Sequence, residues 1–281
     1  MPHRQLAEWL GRNWARFSYA RHVEPIWLER TETHIGVADW PAAFGELRIV
    51  QLSDLHCGNQ IPASYFEEVL TATREATPDL IALTGDFIHK GFRHLDQVRQ
   101  LVSRMQAPLG VYAVLGNHDF SVRNALGWRR HPKLHLAVSE ALSTAGATVL
   151  RNAHVPIQRN GESIYLCGLD DLWSRECDPE KGLAGLPSNV PCVVLAHNPQ
   201  TIHLLKMHRC DLMLSGHTHG GQIDWPGLGR ITLGRNARQF AAGLYREDGH
   251  WLYVSRGVGF GLRFRFRVRP EVALLTLSGI E

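Results

Sequence analysis

The stretch Ser215-Gly216-His217-Thr218-His219-Gly220-Gly221-Gln222 follows directly on the apolar run Asp211-Leu212-Met213-Leu214. An apolar run that ends in glycine and ligand-type side chains reads as a buried strand opening into an active-site loop. His-x-His sets two imidazoles on one side of an extended segment. By itself the pair is ambiguous, since histidines are common in exposed loops. Four earlier strand ends with matching chemistry settle the reading.

Working outward, residues 47–53 read as a strand ending in Asp54-Leu55-His56, and residues 79–84 as a strand ending in Gly85-Asp86. Residues 110–115 end in Gly116-Asn117-His118-Asp119, and residues 191–196 in His197-Asn198-Pro199. Helical spacing of apolar residues falls between them, at 62–77, 95–105, 138–145 and 199–207. Residues 163–168 form a further strand ending in Asp170-Asp171, which either tune the site or cap the strand. The polar, basic segment 121–132 reads as a loop or cap over the site, with His131 and His135 as residues that could line it; residues 172–189 read as a loop. Beyond Gln222 the pattern turns to short strands at 230–233, 242–245, 251–254 and 272–277, with a hairpin turn at 247–250.

In α/β sheets ligands bind at the ends of strands. The strand ends here would gather Asp54, Asp86, Asn117, His56, His118, His197, His217 and His219. Carboxylate, imidazole and amide oxygen together suit Mn, Fe or Zn better than the oxygen-only preferences of Ca²⁺ and Mg²⁺. A structural zinc site needs four ligands and favours cysteine. The surplus of ligands argues instead for a catalytic pair of ions ~3.5–4 Å apart. Taken singly, each residue has a plainer reading: Asp86 as a solvated turn residue, Asn117 as a turn former, Cys57 as a small buried residue. Taken together and in order, the plain readings become improbable.

These residues resemble the calcineurin-like metallophosphoesterase superfamily. Its pattern D-x-H, G-D, G-N-H-D/E, H and G-H-x-H is met in order by Asp54-Leu55-His56, Gly85-Asp86, Gly116-Asn117-His118-Asp119, His197 and Gly216-His217-Thr218-His219. The resemblance implies an α/β four-layer sandwich, α-β-β-α, of two mixed sheets flanked by helices. It implies two divalent metal ions, with manganese first and iron or zinc as alternatives. Asp54, His56 and His219 would hold one ion, Asn117, His197 and His217 the other, and Asp86 would bridge them. Water activated between the ions would attack phosphorus in line. His118, a non-ligand, would protonate the leaving oxygen or stabilise the transition state, with Asp119 orienting it. Where the family's Ser/Thr protein phosphatases read G-D-x-V-D-R-G, this chain has Gly85-Asp86-Phe87-Ile88-His89-Lys90-Gly91, which argues against protein phosphatase activity.

The flanking context resembles the branch that holds membrane-associated phosphodiesterases and UDP-2,3-diacylglucosamine hydrolases. It implies cleavage of a phosphodiester or pyrophosphate bond in a lipid-linked substrate, UDP-2,3-diacylglucosamine being the specific candidate. The rivals are a soluble phosphodiesterase acting on nucleotides or small diesters, and a metal-binding scaffold that keeps the fold without the chemistry.

Composition sets bounds on this reading. The chain has 281 residues, 44% hydrophobic and 20% charged, which suits one catalytic domain at 46–281 after an N-terminal helix and connector at 1–45. A net charge of +3 is too small to argue for nucleic acid. Five scattered cysteines suit reduced thiols in the cytoplasm, and no apolar run approaches the ~20 residues of a membrane span. In residues 4–22, Leu6, Trp9, Leu10, Trp14 and Phe17 share one helical face away from Arg4, Arg12, Arg16 and Arg21. Such a helix lies on anionic lipid, packs on the domain or binds a partner. Residues 262–269 alternate apolar and basic, so as an extended segment they would align Arg263, Arg265, Arg267 and Arg269 on one face, either for lipid phosphates or as a solvated edge strand. The two segments together point to peripheral contact with the inner face of a membrane. Nothing in the sequence sets the oligomeric state.

Overall fold

The central strands of this chain are apolar on both faces, and the two faces bury against different layers. The structure, a computed structural model, describes residues 2–230, 232–234 and 237–280, with the backbone alone described at residues 2–4, 6 and 9. The first half runs α1 (Pro2–His22), β1 (Glu29–Val37), β2 (Leu47–Leu52), α2 (Ala63–Glu75), β3 (Leu80–Thr84), α3 (Leu95–Val102), β4 (Val111–Val114), α4 (Leu134–Thr144) and β5 (Thr148–Val149). The second half runs β6 (Ala153–Arg159), β7 (Glu162–Gly168), α5 (Pro179–Gly182), β8 (Cys192–Leu195), β9 (Leu212–Ser215), β10 (Asp224–Trp225), β11 (Gly229–Arg230), β12 (Gly243–Glu247), β13 (His250–Val254) and β14 (Glu271–Gly279).

Two six-stranded mixed sheets result, ordered β1-β14-β2-β3-β4-β5 and β12-β13-β9-β8-β7-β6. Period-2 alternation then assigns each side chain to a layer. Leu47, Ile49, Leu80 and Ala82 of the first sheet meet Val193, Leu195, Leu212 and Leu214 of the second in the central core. Their neighbours Val50, Leu52, Ile81 and Leu83 face the other way, onto Phe66, Val69, Val98, Leu101, Val138 and Leu142 of the helices. On the outer face of the second sheet, Val194, Met213 and Val254 pack with Ile202, Leu205 and Phe240. This is the expected four-layer α/β sandwich. Strands β2, β3 and β4 are parallel, as are β8 and β9, so the five ligand-bearing loops leave their sheets at C-terminal strand ends. Gln51 ties the sheets together at that edge, donating to Thr84 Oγ1 and to the Ser215 carbonyl, each at 2.9 Å.

Within the connector, residues 29–37 form the edge strand β1, parallel to β14. Several expectations need correction. Strand 230–233 shrinks to Gly229–Arg230; Thr232 and Leu233 leave it, and Ile231 lies outside the described residues. Helix 199–207 is a short 3-10 helix over Pro199–Leu204. The single basic face of residues 262–269 does not form. Arg265 turns inward, with a relative exposure of 0%, and donates to the carbonyls of Val268, Arg256, Gly257 and Gly259. The Gly257 carbonyl also accepts the Glu271 N–H at 3.1 Å; the demand of these buried loop carbonyls for a donor overrides the alternation. Arg269 instead lies 4.3 Å from the Trp27 ring centroid, and Arg267 remains exposed.

Helix α1 docks by its C-terminal end. The Ala20 carbonyl accepts from the Arg265 backbone N–H, Arg21 donates to the Arg263 carbonyl, and Phe17 packs on Phe264 with centroids 5.4 Å apart. Of the expected apolar stripe, Leu10, Trp14 and Phe17 are exposed; the side chains of Leu6, Trp9 and Arg4 lie outside the described residues. No helix among the described residues is long and apolar enough to cross a membrane.

Replacing Arg265 by methionine keeps the volume but strands several buried carbonyls. The expected loss is about 3 kcal/mol, read as a lower urea midpoint; a wild-type midpoint would contradict this account of Arg265.

Candidate active site

All seven sequence-predicted ligands meet at the C-terminal strand ends, and local backbone strain puts them there. Asp54, His56, Asp86, His217 and His219 all have positive φ, between 45° and 70°. Such residues cost of order 1–3 kcal/mol each and persist where the surroundings over-determine them. Two glycines make room. A methyl group at Gly116 would overlap Asp86 Oδ1, and one at Gly216 would overlap Ser53 Oγ and Asp54 Oδ2.

Each donor is anchored by one atom and presents another. Asp54 Oδ2 accepts from Ser53 Oγ at 2.6 Å and from the His217 N–H at 3.1 Å, leaving Oδ1 buried without a partner. Asp86 Oδ1 accepts the His118 N–H at 2.9 Å, so its Oδ2 faces His197 Nε2 at 3.3 Å and His56 Nε2 at 3.6 Å. Asn117 donates its amide to the Val122 carbonyl at 2.7 Å, which turns Oδ1 toward His217 Nδ1 at 2.9 Å. His197 Nδ1 bonds the Thr84 carbonyl at 2.7 Å, which leaves Nε2 as the free nitrogen. His56 Nε2 and His219 Nε2 stand 3.0 Å apart, with Asp54 Oδ1 3.2 Å from the latter.

Carboxylate, imidazole and amide donors thus converge in a buried space. Burial holds His56 well below its ordinary pKa, and brings His217 down to about 3 and His219 to about 4. These imidazoles are neutral at neutral pH, the form that ligates metal. His197 moves the other way: burial disfavours its cation, but the nearby Asp86 carboxylate outweighs burial. The orphaned Asp54 Oδ1 and His197 Nε2 are what divalent cations would satisfy. The donors fit two ions. Asp54, His56 and His219 form one group, Asp86 and His197 extend it, and Asn117 with His217 completes the second side.

His118 lies on the cleft wall with His56, Asp86, Asn117 and His217. Its Nδ1 bonds the His89 carbonyl at 2.8 Å, leaving Nε2 free. His118 is therefore oriented by His89 and not, as expected, by Asp119. The Asp119 carboxylate is fully buried and gathers backbone N–H groups: Phe87 and Ile88 on Oδ1, Asp86 and Gly116 on Oδ2. It holds the Asp86 and Asn117 loops together.

Sequence reading set aside several residues that the fold brings in. His89, which stands where the family's phosphatases carry an Asp, has its ring centroid 5.8 Å from that of His118. Trp173, in the segment read as a loop, stands edge-on to His217 at 4.3 Å. Asp171 is buried, which pushes it up to about 7, and it accepts the Ser174 N–H in the turn that carries Trp173. The replacement of the phosphatase-type Asp at His89 and the Asp170-Asp171 pair after residues 163–168 were the signals in advance; Trp173 had none. The cleft of about 880 Å³ runs from the ligands past Trp173, Asn198, Leu233 and Phe240.

A buried cluster of carboxylate, imidazole and amide donors with a free histidine beside a cleft defines a metal-dependent phosphoester hydrolase. The chain belongs to the calcineurin-like phosphoesterase family, whose pattern matches residues 47–221. It is 32% identical over 262 residues to the phosphodiesterase YaeI of Escherichia coli, covering 93% of this chain and 92% of that protein. It is 28% identical over 300 residues to the UDP-2,3-diacylglucosamine pyrophosphatase LpxG of Chlamydia trachomatis, covering 92% and 91%. Among solved structures, the phosphopantetheinyl hydrolase PptH of Mycobacterium tuberculosis shares the fold, with TM-score 0.51 at 11% identity over 78% of this chain and 92% of that one.

Asp119→Asn sets an amide NH₂ against two backbone N–H groups. A loss of about 2–4 kcal/mol and a fall in bound Mn²⁺ are expected, checked by urea titration and elemental analysis. Full metal content at wild-type stability would refute the role given to Asp119.

Proposed function

We propose that this enzyme cleaves a phosphodiester or pyrophosphate bond in a lipid-linked substrate, UDP-2,3-diacylglucosamine being the leading candidate. Asp54, His56 and His219 would hold one divalent ion and Asn117, His197 and His217 the other, with Asp86 between them. When bound, the pair supplies water of near-neutral pKa and neutralises charge on the phosphoryl oxygens. His118 faces the same space, and with its Nδ1 held by His89 its Nε2 delivers a proton to the leaving oxygen. Arg265 and the buried wall behind His219 exclude water from the rear of the site.

The observation that carries the lipid reading is an apolar surface beside the cleft. Leu10, Phe17 and Leu262 are exposed, and Trp14 is 72% exposed. Gln222, on the cleft wall, donates to the Leu262 and Phe264 carbonyls, which joins this surface to the cleft. Exposed Trp and Phe on an Arg-bearing helix suit an interface with anionic lipid. The name of the Chlamydia relative points the same way. The second reading, a soluble phosphodiesterase acting on nucleotides or small diesters, is favoured by the name of the E. coli relative.

A paired assay with Mn²⁺ separates the two: bis(p-nitrophenyl) phosphate in one arm, UDP-2,3-diacylglucosamine in detergent in the other, scored for UMP release. UMP release supports the lipid-linked reading; turnover of the small diester alone favours the second. In either arm, His118→Ala should lose about 10²–10⁴-fold in kcat while keeping its metal, whereas Asp86→Ala should lose both. A fully active His118→Ala would remove that residue from the chemistry. Binding to vesicles of phosphatidylglycerol should weaken about tenfold in Trp14→Ala/Phe17→Ala; unchanged binding would rule out this helix as the lipid contact.

A further inference from the structure

Two cations near His118 and His89, Arg123 and Lys90, are not used by the chemistry above. Arg123 shares the cleft wall with Asp86, Asn117 and His118. Its Nη2 donates to the His89 carbonyl at 3.0 Å, the same oxygen that receives His118 Nδ1. That bond uses one of five guanidinium N–H groups and fixes the fork beside the proton donor. Lys90 opens on the other side of His89. It lines a second pocket of about 230 Å³ with Asn59, Gln60, His89 and His94, and this pocket shares His56 and Gly261 with the main cleft. Lys90 follows His89 directly in the chain, and Arg123 donates to the His89 carbonyl. Among the described residues, neither Arg123 nor Lys90 makes an ion pair, whereas Arg129, Arg151, Arg159, Arg209 and Arg256 all have carboxylate partners.

Unpaired surface cations are common, and exposure alone assigns nothing. What separates these two is place: Arg123 is tied to the carbonyl that orients His118, and Lys90 follows that carbonyl in the chain. A phosphodiester brings one negative charge to the site. A diester of pyrophosphate brings two, and the second falls next to the phosphate under attack. We propose that Arg123, with Lys90, binds that second phosphate and so selects pyrophosphate-linked substrates over single phosphodiesters. The proposal rests on the hydrolase reading above and names a specificity that reading leaves open. Arginine suits the task because its planar fork meets two phosphate oxygens at once.

The test compares UDP with UMP, which differ by one phosphate, binding to the Mn²⁺-loaded protein by calorimetry. Wild type should prefer UDP by about tenfold or more, the worth of one charge-assisted contact. Arg123→Ala should bring the two affinities within about threefold, Arg123→Lys should fall between, and Lys90→Ala should reduce the preference further when combined with Arg123→Ala. Circular dichroism and bound Mn²⁺ establish that each variant is folded and loaded. A loaded Arg123→Ala protein that keeps the wild-type preference overturns the proposal, as does a wild type that binds both nucleotides equally. Failure of the hydrolase reading appears elsewhere, as wild type unable to turn over bis(p-nitrophenyl) phosphate, while the binding comparison still reads out.

Discussion

The structure depends on one electrostatic problem: metal-type donors crowded together inside the protein. His56 Nε2 and His219 Nε2 lie 3.0 Å apart, and Asp54 Oδ1 and His197 Nε2 have no hydrogen-bond partner. In a medium of low dielectric such an arrangement is unfavourable until positive charge enters it. Divalent ions are the economical answer, since two of them meet many donors at once. The local features of the site follow from that need: left-handed backbone at five of the seven donors, glycines that clear the carboxylates, and one anchored oxygen on each aspartate.

Holding donors against their own repulsion takes a stiff frame. The two sheets supply most of it, because their parallel strands end together at one edge. Gln51 joins the sheets there through Thr84 and Ser215. Asp119 gathers the backbone of the Asp86 loop, and Arg265 gathers the loop at residues 256–259. The Val258 and Gly259 N–H groups in turn bond the carbonyls of Ser53 and Asp54. The Arg265 side chain also approaches His219 Nδ1 at 3.4 Å, while its backbone N–H bonds the Ala20 carbonyl at the end of α1. The apolar surface carried by α1 is therefore tied mechanically to the back of the ligand cluster.

Periodicity made the central strands legible, because a strand buried on both faces is an unbroken apolar run bounded by glycine. The same logic failed at the margins. Strand β6 carries Pro156 and polar residues at the sheet edge, and β5 spans Thr148–Val149 only. Neither shows the central pattern. The alternation of residues 262–269 misled for a different reason. Alternation predicts a strand only where a neighbouring strand accepts its ladder; here Arg267 adopts φ 60° and Arg265 serves loop carbonyls instead.

The sequence by itself determined which residues meet at the site and that each sits at the end of a strand. Metal-binding side chains are short-range chemistry: their identity, their spacing and the glycines beside them are written in contiguous motifs. Tertiary structure alone decided the supporting partners. Asp119 serves backbone N–H groups rather than His118, His118 leans on the His89 carbonyl, Trp173 stands against His217, and Arg265 lies buried behind His219. Each of those contacts runs to whichever unsatisfied backbone or ring atom folding brings near, and which atoms remain unsatisfied is known only once the loops have closed over one another.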